Sequence, residues 1–293
     1  MTKISLPALA AIASLSVSLG PDDARAAGSL PNAWVSGRGA DRAGCGAVTA
    51  PCRTFQYVLD NVVAPNGSVL VFDPANYGPM RITFPVSILN KDGGTAGVFS
   101  VNASTGIAVE INLALPGVVI LQGLTLAGSA GAGSGIYMTS PGTLAIEGCE
   151  IRGFTASGAG YGLILKNQAG AISFLVSDSV FSGNTYGVLV QPGGSASASG
   201  AVRRSVAYGN RVTGFLFSAD STVSGNVQAT VEDSLSFRNA YGVSATSGST
   251  STRANVYAIR SNATANTSFD LFKSGAATMT LSQGAFYYTK SGF

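Results

Sequence analysis

The sequence has no histidine. Its absence removes the usual general base of Ser-His and Cys-His mechanisms and the commonest nitrogen ligand of zinc. Charge is scarce as well: Asp, Glu, Lys and Arg together make up 11% of the chain, and the formal net charge is +3. A nucleic-acid surface needs a concentrated basic stripe with aromatic stacking partners. The Arg203-Arg204 pair is the only hint of one, so nucleic acid is set aside as a partner. Cysteine is limited to three residues and tryptophan to one. Helical stripes are missing too, apart from one amphipathic segment near the amino terminus. What fills the chain instead is glycine, 38 of 293 residues, with abundant Ser and Thr. That composition suits many turns and short strands.

The first residues read as a secretory signal. Lys3 precedes a largely apolar core from Leu6 to Leu19, small residues follow, and a cut is expected between Ala26 and Ala27. The apolar core is shorter than the roughly 20 residues of a bilayer span, and no later segment spans, so a secreted or periplasmic protein is expected. About 267 residues then remain. Cys45 and Cys52 enclose six residues, a spacing that permits a disulfide in an oxidising compartment. A metal site is the rival reading, but without His or a second Cys pair neither a metal nor a cofactor is expected. Cys149 is left over and reads as a small buried filler.

The informative stretch is Phe174 to Val190, because variants of it recur. Leu121 to Leu126, Ile146 to Ile151, Val176 to Phe181, Val202 to Ala207 and Val231 to Ser236 align, giving a column of Leu124, Cys149, Ser179, Ser205 and Ser234. The separations are 25, 30, 26 and 29 residues, one coil each with insertions in the turns. Such a unit cannot bury its apolar face alone and needs stacked copies. Five residues beyond the Ser column, Asn184, Asn210 and Asn239 recur, and Asn262 is taken to continue them. Asn tolerates a left-handed backbone and bonds along a stack, so these four are expected to form a structural ladder at a tight turn. A leucine-rich repeat has similar offsets, but each coil's second half, such as Gly187-Val-Leu-Val, reads as strand and not helix. A left-handed hexapeptide helix would need constant six-residue subunits. The expectation is an all-β right-handed parallel β-helix solenoid.

The ends differ from the middle. Ala33 to Ser36 reads as a strand, and Thr54 caps a helix whose Phe55, Val58, Leu59, Val62 and Val63 make one apolar stripe. Residues 1–26 are assigned to the signal, 27–67 to an amino-terminal cap with the cysteine loop and helix, and 68–293 to the β-helix. Met80 to Leu89 is expected as an irregular strand around Pro85. The terminal run from Phe286 to Phe293 is expected to lid the last coil.

These repeats resemble the right-handed parallel β-helix proteins of the pectin-lyase-like superfamily over roughly residues 68 to 280. The amino-terminal Trp34-Val-Ser-Gly, Cys45, Pro51-Cys52-Arg53-Thr54-Phe55 and Asp73-Pro74 resemble exported bacterial members of unassigned function. The resemblance implies the fold and an exported location. Enzymes of that fold act chiefly on polysaccharides, as calcium-dependent lyases or as hydrolases with clustered Asp, and neither the hydrolase signature nor an Asp-rich calcium loop is present.

One charged constellation remains. In register, Glu147, Ser177, Arg203 and Glu232 share a column, and Gly148, Asp178, Arg204 and Asp233 share the next. Coils stack about 4.8 Å apart, placing Asp178 and Asp233 roughly 9.6 Å from each other with Arg204 between them. That is near the upper limit for an inverting carboxylate pair, so Asp178, Arg204 and Asp233 are the candidate catalytic residues. The alternative is a salt-bridge ladder that fixes register. Tyr161, Tyr186, Tyr208 and Tyr241 lie near the Asn turn, are expected along one edge, and are candidate sugar-binding residues, against simple corner packing. The leading expectation is a secreted β-helix presenting an extended surface to a polysaccharide or cell-surface partner, without an identifiable catalytic set. A polysaccharide lyase or glycoside hydrolase is the alternative, and a monomer or a fibre-like oligomer fits equally.

Overall fold

The computed structural model of the chain describes residues 28–91, 94–219, 225–249, 251–286 and 289–290. The expected signal segment with its cut near Ala26, and most of the expected terminal lid, lie outside the described residues.

Each coil is built from three short strands. Ala171–Ser177, Val180–Ser182 and Tyr186–Val190 make one coil, and Ser197–Arg203, Val206–Tyr208 and Thr213–Ala219 make the next. Equivalent strands of successive coils pair in parallel, and the chain forms one ten-stranded sheet and two nine-stranded sheets. They are called here the first, second and third sheet, in their order along a coil. The architecture is thus a parallel β-helix, and among the described residues Phe55–Asn61 is the one helix.

Alternation within each strand explains why coils of this sequence stack. Ile172, Phe174 and Val176 are buried while Ala171, Ser173 and Leu175 are exposed. The buried set continues through the stack: Leu121, Ile146, Val176, Val202 and Val231 are partners in register and at most 1% exposed. On the third sheet, Ile136, Leu163, Val188, Phe215, Val243 and Leu271 do the same. Each such side chain contributes roughly 1.5–3 kcal/mol of burial, so a dry interior column outweighs the turn strain described below. One glycine is required by this packing. A Cβ on Gly200 would lie 2.0 Å from the Phe174 carbonyl and 2.6 Å from its ring, so the bulky Phe174 fits only because the next coil is bare there.

The amino-terminal part departs from the expected boundaries. The first sheet begins with Leu30–Val35, which pairs with Val63–Val71, so sheet pairing starts inside the stretch assigned to the cap. The helix is shorter than its apolar stripe suggested: Val62 is the C-cap and Val63 already opens a strand, because Val63 is taken into parallel pairing with Leu30. Thr54 caps the helix, its hydroxyl accepting from Tyr57 N–H, and Phe55, Val58 and Leu59 are buried. Met80 to Leu89 is two strands and not one. Met80–Ile82 belongs to the third sheet and Val86–Leu89 to the first, with the corner at Pro85, whose missing N–H suits a break in pairing.

Cys45 and Cys52 form a disulfide. Around it, Trp34 N–H donates to Gly46, Cys52 N–H donates to Trp34 and Ser36 N–H donates to Cys52, so the cysteine loop lies alongside the first strand. Asp41 accepts from Arg53 N–H, Thr54 N–H and the Thr54 hydroxyl. Asp73 accepts from the Ser36 hydroxyl, Gly37 N–H and the Tyr77 hydroxyl. Among the described residues, no helix is long and apolar enough to cross a membrane.

Candidate functional site

The candidate charges sit at the turn between the first and second sheets. There the chain reverses through one residue with a left-handed backbone: Gly123 (φ 68°), Gly148 (59°), Asp178 (52°), Arg204 (44°), Asp233 (50°) and Arg260 (46°). For the four non-glycine residues this conformation costs of order 1 kcal/mol each. The stack compensates. Asp178 N–H donates to the Arg203 carbonyl at 3.1 Å, Arg204 N–H to Glu232 at 3.0 Å and Asp233 N–H to Ile259 at 3.0 Å.

The next residue carries a buried hydroxyl that serves two coils. The Ser205 hydroxyl accepts from Ser179 N–H and donates to the Arg203 carbonyl, and Ser234 acts likewise on Ser205 N–H and the Glu232 carbonyl. Cys149 occupies the same place, where its sulfur accepts from Leu124 N–H. It is 2% exposed, and burial pushes its thiol up to about 11, which does not suit a nucleophile.

The exposed side chains of this turn column pair off in a definite order. Arg204 grips Asp178 with two bonds, Nε to Oδ1 at 2.8 Å and Nη2 to Oδ2 at 2.7 Å. Asp233 does not share Arg204. It is held by Arg260, with bonds of 2.7 and 2.9 Å, and Arg260 also reaches Glu232 at 2.6 Å. Arg203 closes the set on the other Glu232 oxygen at 2.9 Å. Arg204, expected between Asp178 and Asp233, is thus hydrogen-bonded to Asp178, while Arg260, one coil further, holds Asp233. Arg204 lowers Asp178 and Arg260 lowers Asp233, in each case chiefly by hydrogen bonding, while Arg204 is itself raised by Asp178. Carboxylates held ionised next to guanidiniums lack the raised acid that glycoside hydrolysis uses. Asp178 also borders a groove of about 380 Å³ with Glu150, Thr125 and the bare turns Gly123 and Gly148. Among the described residues, no three His, Cys, Asp or Glu side chains cluster to hold a metal.

The amide ladder lies at the other turn, between the second and third sheets. Asn184 N–H donates to the Asn210 amide oxygen, and Asn210 N–H to that of Asn239. Each side-chain N–H donates back to the preceding coil: Asn184 to Ile151, Asn210 to Phe181 and Asn239 to Ala207. Two corrections follow. The left-handed residues here are Gly183, Gly209, Arg238 and Ala265, each immediately before its Asn. And Asn239 N–H donates to Asn266, whereas Asn262 is exposed in a second-sheet strand paired with Leu235. The ladder ends where Asn266 donates to Asp270.

The four tyrosines do not form one edge. Tyr161 and Tyr186 are register partners on the third sheet with stacked rings 5.3 Å apart, but the next position is Thr213, which separates them from Tyr241. Tyr208 lies on the second sheet, stacked on Phe237 at 5.4 Å. In these stacked pairs one face of each ring is covered by its neighbour.

Sequence reasoning missed Arg260, Ser261 and Asn266. The signal was available: Ser234 N–H donates to the Ser261 hydroxyl, so Ser261 extends the Ser column, and the five-residue offset from it gives Asn266.

No protein-family profile matches the sequence, and no curated protein matches it. Solved structures do. A pectate lyase aligns with a TM-score of 0.50 at 13% identity, covering 89% of this chain and 79% of its own. A rhamnogalacturonan lyase aligns with a TM-score of 0.34 at 15% identity, covering 84% of this chain and 73% of its own. A lacto-N-biosidase from Eubacterium ramulus gives 0.37 at 10%, covering 87% and 68%. The last two scores are too low to carry weight. At such identity the likeness to the pectate lyase is one of fold, and with the stacked coils above it makes this chain a parallel β-solenoid of the pectin-lyase-like fold.

Proposed function

We propose that the chain is an exported β-helix that lays the outer face of its first sheet along a polysaccharide and holds it without cutting it at the charged turn. The observation that carries the reading is the arrangement of that face in rows, one residue per coil. Thr143, Ser173, Ser199, Gln228 and Asn255 are register partners in a row of uncharged hydrogen-bonding side chains. Beside it run Ala145, Leu175, Ala201, Thr230 and Tyr257, in which Leu175 and Tyr257 are 40% and 39% exposed. An extended glycan offers hydroxyls and apolar ring faces in just such alternation, and one coil advances about 4.8 Å, close to the reach of a single sugar.

The charged turn borders these rows and serves as their edge. Its arginines are engaged by Asp178, Glu232 and Asp233, so the reading favours a polymer recognised by hydroxyls over one recognised by charge. The disulfide supports the exported location. A fold shared with a pectate lyase agrees with a polysaccharide partner.

The test is retention in affinity gels of neutral and acidic plant and bacterial polymers, with products followed by ultraviolet absorbance and reducing ends. Retention by a neutral polymer, weakened by Leu175→Asp and Tyr257→Ala and insensitive to salt, is expected. Product release that disappears in Arg204→Ala or Asp233→Asn would instead assign catalysis to the turn.

A further inference from the structure

We propose that a second site, a cleft at the amino-terminal end of the third sheet, binds a small sugar acid, with Arg81 taking its carboxylate. The cleft measures about 460 Å³, within the range of small-molecule sites. Gln56 and Asp60 of the helix form one wall, Tyr77 and Met80 another, and Asn102 and Ile107 a third. Arg81 and Glu110 both line it and are direct register partners on the strands Met80–Ile82 and Ile107–Ile111.

These two charges are one strand spacing apart, about 4.8 Å at the backbone. Yet among the described residues the Arg81 guanidinium makes no ion pair or hydrogen bond, and neither does the Glu110 carboxylate. Elsewhere on the solenoid, among the described residues, Arg152, Arg203, Arg204 and Arg260 each pair with an acid and Arg211, Arg238 and Arg253 do not, but of these unpaired arginines only Arg81 lines the cleft with an acid as its register partner. Arg81 thus keeps all its side-chain donors for a ligand, in the planar fork that suits a carboxylate.

The backbone beneath Arg81 is held in place. Arg81 N–H donates to the Gln56 side chain at 2.7 Å, and Gln56 in turn donates to Asp60 at 2.9 Å, which ties the helix to the strand. Glu110 beside Arg81 can accept a hydroxyl, Asn102 and Thr105 add polar groups, and the part-exposed Pro79 and Ile107 give an apolar wall for a ring's carbon face, with Tyr77 and Met80 buried behind them. Glu110 beside Arg81 opposes a doubly charged phosphate more strongly than a carboxylate, so a singly charged, hydroxyl-rich ligand is favoured. The site is independent of the glycan rows on the first sheet, so either can fail alone.

The test is a titration of the full chain with D-galacturonate, D-glucuronate and neutral D-galactose, followed by NMR chemical shifts. One of the acids should saturate with a dissociation constant in the low millimolar range or tighter, with galactose about tenfold weaker or more. Arg81→Gln should weaken the acid by about tenfold, Arg81→Lys by less, and Glu110→Gln should leave it unchanged or tighten it, because its amide still accepts and a charge that opposes the ligand is gone. Equal binding of galactose, an unaltered acid affinity in Arg81→Gln, or no saturation by either acid would overturn the proposal. If Arg81→Gln fails to fold, the galactose comparison and Arg81→Lys decide.

Discussion

Between Ala171 and Ser274, a backbone N–H at each of two turns is capped by the same kind of side chain from the following coil: a hydroxyl at one turn, an amide at the other. Between Gly28 and Ile111 the caps are single groups in unlike surroundings, such as Asp41 beneath the helix and Asp73 beneath the Tyr77 hydroxyl. The difference is one of how damage spreads. In the regular coils a lost side chain leaves a defect in the coil before it, and every rung depends on the next. In the amino-terminal part each device secures one loop, so a loss there stays local.

The largest expected effect tests the ladder. Asn210→Ala would strand Asn184 N–H and the Phe181 carbonyl, both in the preceding coil. Buried unpaired groups cost about 1–3 kcal/mol each, so a loss of about 3 kcal/mol in urea unfolding is expected. Asn262→Ala removes only an exposed bond from Ala285 N–H and should cost under about 0.5 kcal/mol. A large loss from Asn262→Ala with a small one from Asn210→Ala would reverse the ladder assignment.

A smaller effect tests locality. The disulfide closes a short loop, so Cys45→Ser with Cys52→Ser should cost about 2 kcal/mol. Amide exchange should quicken around Trp34, Cys52 and the helix while the coils after Ala171 keep their protection. Uniform quickening along the chain would erase the contrast between the two regions.

The same contrast sets how far the sequence could be read. The regular coils were legible because interior alternation and the Ser offset recur, and Phe174, Val176 and Ser179 each have a counterpart one coil away. The amino-terminal coils were not, because no column constrains them: the stripe through Val63 suited a helix until Leu30 took Val63 into pairing. The charged turn was located correctly in register, but its pairing depended on Arg260, which lay beyond the last aligned coil. Tyr208 was misplaced because nearness to the Asn turn in sequence does not say on which side of the turn a residue falls. It precedes Asn210 and so lies on the second sheet, whereas Tyr186 and Tyr241 follow their Asn and lie on the third. The cleft around Arg81 is assembled from three separated segments, and no local spacing announces it.

The smallest effect concerns acid, and it separates the two regions by mechanism. Asp178 and Asp233 sit below the usual aspartate value chiefly because arginine guanidiniums bond them. At Asp73 burial pushes upward, but the Gly37 N–H and the hydroxyls of Ser36 and Tyr77 outweigh it, so it is lowered too. A lowered folded-state value means that each carboxylate adds stability above its unfolded value and loses it as pH falls through the folded one. All three contributions are therefore complete at neutral pH and fade as pH drops below 3.8. Salt tells them apart. At about 1 M the screening length is near 3 Å, which weakens the exposed guanidinium pairs, whereas the bonds to Asp73 come mainly from neutral donors and persist. In Asp73→Asn, the acid sensitivity that remains should shrink on adding salt. In Asp178→Asn with Asp233→Asn, the response to salt should fall to what the remaining pairs of Glu232 and Glu150 supply. Stability followed by urea unfolding between pH 5 and 2, at low and high salt, reads both, and a salt response in the double variant as large as in the parent chain would mean that the guanidinium pairs of Asp178 and Asp233 are not what salt weakens.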